Sequence, residues 1–143
     1  MLLDASAIVA LLARESGADE VRRRLSAATS PLYVCSVTIF EATLALARAK
    51  TPVGRTDQRK PTQAEIHKAL QVVLAFLKAN DVRDRAVDSA IVIDAVQAAA
   101  IYGKAVGHPA DLNFGDCLVY ASAKAIEVPL LYIGNDFVQT DLA

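Results

Sequence analysis

A chain of 143 residues is one domain's worth of polypeptide, long enough to bury roughly two-thirds of its unfolded surface in a single core. With 54% hydrophobic and 22% charged residues it is not a disordered chain, and 15 basic against 16 acidic residues leave a net charge of -1. That balance excludes a protein that grips nucleic acid by overall positive charge, while leaving room for a local site. In chain order, residues 2–4 are predicted to form a short first strand, after which Ser6 caps a helix carrying Ile8, Val9, Leu11 and Leu12. A second helix follows Ser16, with Val21 and Leu25 on its inner side and Arg22, Arg23 and Arg24 around the rest. Residues 32–35 read as a buried strand, and Ser36 or Thr38 opens a helix to about residue 50. Residues 51–62 hold two prolines, a glycine and mixed charge, and are predicted as a loop. Thr62 with Glu65 is a capping-box signature for the next helix, where Ile66, Leu70, Val73, Leu74 and Leu77 recur at helical spacing. A short extended piece at 82–87 precedes a helix over about 89–104, then a loop over 107–114 and a helix from near Gly115. Residues 129–133 form a last strand, and 135–142 a tail of turns. Strands separated by helices predict an α/β fold, one domain over residues 1–143, with a parallel sheet flanked by helices.

No apolar run reaches the ~18 residues of a membrane span. The N-terminus lacks a basic stretch and meets Asp4 at once, so a signal peptide is not expected. Cys35 and Cys117 lie in apolar settings and read as free thiols in the core of a cytoplasmic protein. Without a CxxC pair and with only two histidines, the chain has too few soft ligands for zinc.

The acids carry the chemistry. Asp4 stands where the first strand ends, and Asp136 just beyond the last strand and Gly134. Asp116 lies in the first turn of its helix, and Glu41 in the first turns of the helix after the second strand. Open parallel sheets bind ligands outside the carboxyl ends of their strands, and helices that follow strands begin at that same edge. Four carboxylates from distant parts of the chain are thus predicted to converge. Such a cluster repels itself, and Glu41, set among Val37, Ile39, Phe40, Ala42 and Leu44, needs a cation most. Arg48 or Lys50 is one candidate partner, and a divalent ion is another. An all-oxygen donor set favours Mg²⁺ or Mn²⁺ over zinc or copper. Taken singly, each acid has a structural explanation: a helix cap for Asp4, the helix dipole for Asp116, a Gly-Asn-Asp turn for Asp136. Four on one edge outweigh those explanations.

The segment Leu3-Asp4-Ala5-Ser6-Ala7-Ile8 resembles the opening strand of PIN-domain nucleases, and Glu41 within Thr38-Ile39-Phe40-Glu41-Ala42 resembles that family's second acid. The run from His108 through Asn113-Phe114-Gly115-Asp116-Cys117, with Gly103-Lys104 before it and Tyr120-Ala121 after it, is similar to the VapC-type toxin subgroup. So are Pro129-Leu130-Leu131-Tyr132-Ile133-Gly134-Asn135-Asp136-Phe137 and Thr140-Asp141. Residues 51–86 match no such motif. The resemblance implies a metal-dependent endoribonuclease, the toxin of a bacterial toxin–antitoxin pair neutralised by a cognate antitoxin, with Mg²⁺ or Mn²⁺ held by Asp4, Glu41, Asp116 and Asp136. It also implies a homodimer acting on RNA.

Ser6 and Thr140 are candidates to orient a carboxylate through their hydroxyls, and Asp141 is a candidate fifth acid or a tail-closing group. His67 falls on a polar helix face and His108 in a loop, where packing is expected ahead of general-base work. Tyr120 is one turn beyond Asp116 and shares its face. Arg48, Lys50, Arg55, Arg59 and Lys60 form a basic stretch that could touch phosphates, with Lys104 and Lys124 as lesser candidates. Two alternatives stand beside this reading. Another Mg²⁺-dependent phosphoesterase of the haloacid dehalogenase type would want an Asp where Ser6 stands. A non-catalytic PIN-like binding module would ordinarily have lost an acid.

Overall fold

The computed structural model describes residues 1–49 and 60–142. Leu2 and Leu3 form β1 (Leu2–Leu3), and the chain turns at once into α1 (Ala5–Ala13). Asp4, extended at φ -83° and ψ 161°, is the residue that caps α1, its carboxylate accepting from the Ser6 amide. Ser6 lies inside the first turn, so the cap is two residues earlier than the hydroxyl had indicated. α2 (Ala18–Ser26) follows, with Val21 buried, and then β2 (Tyr33–Cys35) and α3 (Ser36–Ala49). The expected capping box opens α4 (Gln63–Ala79): the Thr62 hydroxyl accepts from the Glu65 amide, while the Glu65 carboxylate accepts from the Thr62 amide at 2.7 Å. The face of α4 is rotated slightly from the expected one. Ala69, Val73 and Leu77 are buried, whereas Leu74 is exposed.

β3 (Arg83–Arg85) leads to α5 (Ser89–Tyr102), capped by Asp88 and ended at Gly103, short of the expected limit at 104. A 3-10 turn (Lys104–Val106) and a loop then reach α6 (Phe114–Ala125) and β4 (Leu130–Leu131). α6 begins one residue before Gly115 because Asn113 is its cap. Strand pairing is shorter than the apolar run over 129–133, since only Leu130 and Leu131 find partners on β1.

All strands are parallel, in the order β3-β2-β1-β4. The chain steps outward from β1 to β2 to β3, then returns to place β4 on the other flank of β1. The gap between β1 and β4 is the topological switch point, where an open parallel sheet offers its ligand crevice. Side chains alternate across the sheet. Leu2, Cys35 and Leu130 enter a core formed with α5 and α6, while Leu3, Val34 and Leu131 enter one formed with α1, α3 and α4. Each such fully buried Leu or Val contributes roughly 1.5–3 kcal/mol. Cys35 and Cys117 are buried free thiols, as expected. Among the described residues no helix is long and apolar enough to cross a membrane.

Candidate active site

β1 ends directly into Asp4, whose amide donates to the Leu131 carbonyl of β4 at 2.9 Å. Asp4 is thereby fixed at the switch point, and the residue is only 7% exposed. Ser6 secures it further. Its hydroxyl donates to Asp4 Oδ2 at 2.5 Å and accepts from the Ile133 amide at 3.0 Å, tying the start of α1 to the exit of β4. The Ser6 hydroxyl is thus in direct contact with the Asp4 carboxylate.

Asp116 is held by a second capping box. Asn113 Oδ1 accepts from the amides of Gly115 (2.7 Å) and Asp116 (3.2 Å), and Asp116 Oδ2 accepts from the Asn113 amide at 2.8 Å. Glu41 arrives from α3, which packs on α6, and its carboxyl lies directly over Gly115. Asp4, Glu41, Asp116, Ser6 and Asn113 line one crevice of about 620 Å³, together with Glu15, Phe40 and Arg48. Asp136, exposed at the turn beyond β4, is not among the residues that line it, although its charge is felt by both Asp4 and Asp116. Gly134 makes that turn with φ 106°, a conformation glycine adopts without strain.

Electrostatics match the geometry. Burial raises the Asp4 carboxyl above its ordinary range, aided by Asp136 and opposed by its hydrogen bonds from Ser6 and Ala5. Burial, then the charges of Asp4 and Asp116, push Glu41 up to about 7. Asp116 is pushed up to about 6 by burial and by the surrounding acids, against the Asn113 amide that lowers it. Three acids that resist ionising in one another's company form a site short of positive charge. Oxygen-only donors with that deficit fit a hard divalent cation. The acids share a crevice rather than a closed coordination sphere. Among the described residues no three His, Cys, Asp or Glu side chains are grouped tightly enough to hold an ion as they stand.

Arg48 apart, the other expected residues that the structure describes lie away from the crevice. The Thr140 hydroxyl donates to the Phe137 carbonyl and accepts from the Leu142 amide, closing the tail on itself. Asp141 accepts from the Tyr120 hydroxyl at 2.6 Å and from Lys124 at 2.9 Å, a clasp that holds the tail to α6. Tyr120 also packs on Tyr102, and His108 meets Tyr102 edge-on while accepting from the Ala110 amide. His67 is exposed, Lys104 pairs with Asp111 at 3.8 Å, and Arg48 reaches the crevice. Lys50, Arg55 and Arg59 lie outside the described residues, as does the loop predicted over 51–62 apart from its last residues. Asn113, Gly115, Glu15 and Phe40 are site residues that sequence reasoning missed. Only Asn113 had a readable signal, three residues ahead of Asp116 in a capping pattern.

The chain is similar to known proteins along almost its whole length. The PIN domain family model matches residues 1–142. A VapC ribonuclease of Rhizobium meliloti is 41% identical, with 98% of this chain and 97% of that one aligned. The chain belongs to the PIN-domain family, among the VapC ribonucleases. Ribonuclease VapC42 of Mycobacterium tuberculosis is 33% identical over 99% of this chain and 96% of its own. The crystal structure of Mycobacterium tuberculosis VapC20, described as a Sarcin-Ricin-loop-cleaving toxin, superposes with a TM-score of 0.70 over 96% of this chain and 92% of that one. At 16% identity that likeness speaks to the fold, the PIN-like parallel sheet with flanking helices.

Proposed function

We propose that the acidic crevice is the catalytic centre of a divalent-metal-dependent endoribonuclease, the toxin of a type II toxin–antitoxin pair. The observation that carries this reading is the crevice at the β1/β4 switch point, where Asp4, Glu41 and Asp116 come together and the field of Asp136 reaches Asp4 and Asp116. All four acids are proposed as ligands of Mg²⁺ or Mn²⁺. When bound, such an ion lowers the pKa of water to supply a nucleophile at neutral pH and relieves charge on a phosphodiester. The chain's own residues supply the rest. Ser6 and the Ser6 amide fix the orientation of Asp4, the Asn113 amide fixes Asp116, and α3 delivers Glu41 across the crevice. Burial of Asp4 keeps bulk water from competing for its oxygens.

The proposed partners follow from the same surface. A cognate antitoxin with a flexible segment would set an Arg or Lys beside Asp4, Asp116 and Asp136, since a guanidinium bridges carboxylates well. An apolar groove lined by Val92, Val96, Leu112 and Phe114 adjoins the crevice, sharing Asn113 with it, and suits the rest of such a segment. A homodimer is supported by exposed Ile93, Ile101 and Val106. The site of action proposed is the cytoplasm, where RNA is met.

Incubating purified, antitoxin-free protein with total RNA tests the reading. Discrete cleavage with Mg²⁺ or Mn²⁺ that stops on chelation is expected. Intact RNA from a folded, metal-supplied protein would overturn it.

A further inference from the structure

Gly115 sits second in the first turn of α6, with backbone in the helical region that any residue adopts. Glycine is the poorest helix former after proline, so neither conformation nor propensity explains it here. Its surroundings do. A Cβ at this position would stand 1.9 Å from Glu41 Oε1, 2.6 Å from Cδ and 2.8 Å from Oε2. Every one of those atoms belongs to the carboxyl group, the far end of a flexible side chain, and none to the backbone. The bare Cα of Gly115 is therefore the floor on which the Glu41 carboxylate rests. We propose that Gly115 is a positioning residue: its missing side chain admits the Glu41 carboxylate into the crevice beside Asp116.

This inference rests on the reading of the crevice as a metal site, and it deepens that reading by naming what sets one ligand's reach. A methyl group at 115 would leave the fold little to repair, because the Glu41 side chain can swing away. It would leave the site one carboxylate short. Stability and function should thus move in different directions, which a packing role for Gly115 would not produce.

The test is Gly115→Ala, alone and combined with Glu41→Asp. In the metal-free protein, the melting temperature of Gly115→Ala should equal or exceed that of the wild type, and its crystal structure should show the Glu41 carboxylate displaced. Mn²⁺ affinity by calorimetry and kcat on RNA should each fall about tenfold or more, as for lost support of a metal ligand, with KM for RNA unchanged. Glu41→Asp shortens the side chain by one methylene and withdraws it from the new methyl. In the Gly115→Ala background it should therefore cost nothing further, although it costs activity in the wild type. An undisplaced Glu41 carboxylate overturns the inference even if the protein proves not to be a metal nuclease. So do wild-type Mn²⁺ affinity, additive losses in the double variant, or a chain that no longer folds. A wild type that neither binds Mn²⁺ nor cuts RNA, with Glu41 still displaced in the variant, would instead defeat the metal reading and leave the positioning role standing.

Discussion

Asp4 caps α1 and faces the crevice with the same carboxylate, and the Ser6 hydroxyl binds both that carboxylate and the Ile133 amide. Ser6→Ala would leave the Ile133 amide without its acceptor and Asp4 with one donor fewer. The expected cost is about 1–3 kcal/mol by urea denaturation, together with a fall of about 10-fold or more in metal affinity. Asp116→Asn should behave oppositely. The Asn carbonyl can still accept from the Asn113 amide, and one repelling charge is gone, so stability should hold or rise slightly while RNA cleavage is abolished. A large drop in melting temperature would mark Asp116 as a structural acid instead. The approach of Asp4, Glu41 and Asp116 to one another was readable because carboxylates at strand ends and helix starts fall on the same edge of a parallel sheet. Gly115 was not readable, since its role comes from the approach of α3 to α6, a contact between residues far apart in sequence.

The first turn of α6 carries one proposed catalytic acid and the floor beneath another, and Asn113 holds it together. Asn113→Ala should cost about 1 kcal/mol of stability as a lost cap. It should also raise hydrogen exchange at the amides of Gly115 and Asp116 ahead of the rest of the helix, and reduce cleavage because Asp116 is set loose. Uniform exchange across α6 would mean that the cap does not control the turn. Helices were largely legible, through caps such as Thr62 with Glu65 and through periodicity on α4. What escaped was fine phase. Asp4 and Ser6 are both good caps, and only the β4 contact decides that Asp4 caps while Ser6 bridges. The strands were overextended for a similar reason, since an apolar run continues past the residues that find pairing partners.

Across the whole molecule, the balance of charge conceals a local excess of acid, and pH exposes it. Glu41 is raised from 4.5 to about 7 and Asp116 from 3.8 to about 6 in the folded chain. Both groups hold protons in the native state that the unfolded chain has released, so metal-free stability should fall as pH rises from about 4 through 7. Mg²⁺ or Mn²⁺ should offset that loss, with a larger gain in melting temperature at pH 8 than at pH 5. Equal gains at both would separate the ion from these carboxylates. Light scattering at micromolar concentration should give a dimer mass, consistent with the apolar residues exposed on α5; a clean monomer would remove that assembly. A parallel sheet flanked by helices was legible as a class, but its strand order, and with it the switch point that gathers the acids, needed the return of β4 to the far side of β1. The most direct measurement is Mn²⁺ titration calorimetry on the wild type beside Asp4→Asn, Glu41→Gln, Asp116→Asn and Asp136→Asn. Saturable binding with proton release, weakened about tenfold or more by each substitution, is expected if one crevice holds the ion. Binding that survives all of the substitutions, or a folded wild type that takes up no Mn²⁺, would contradict it.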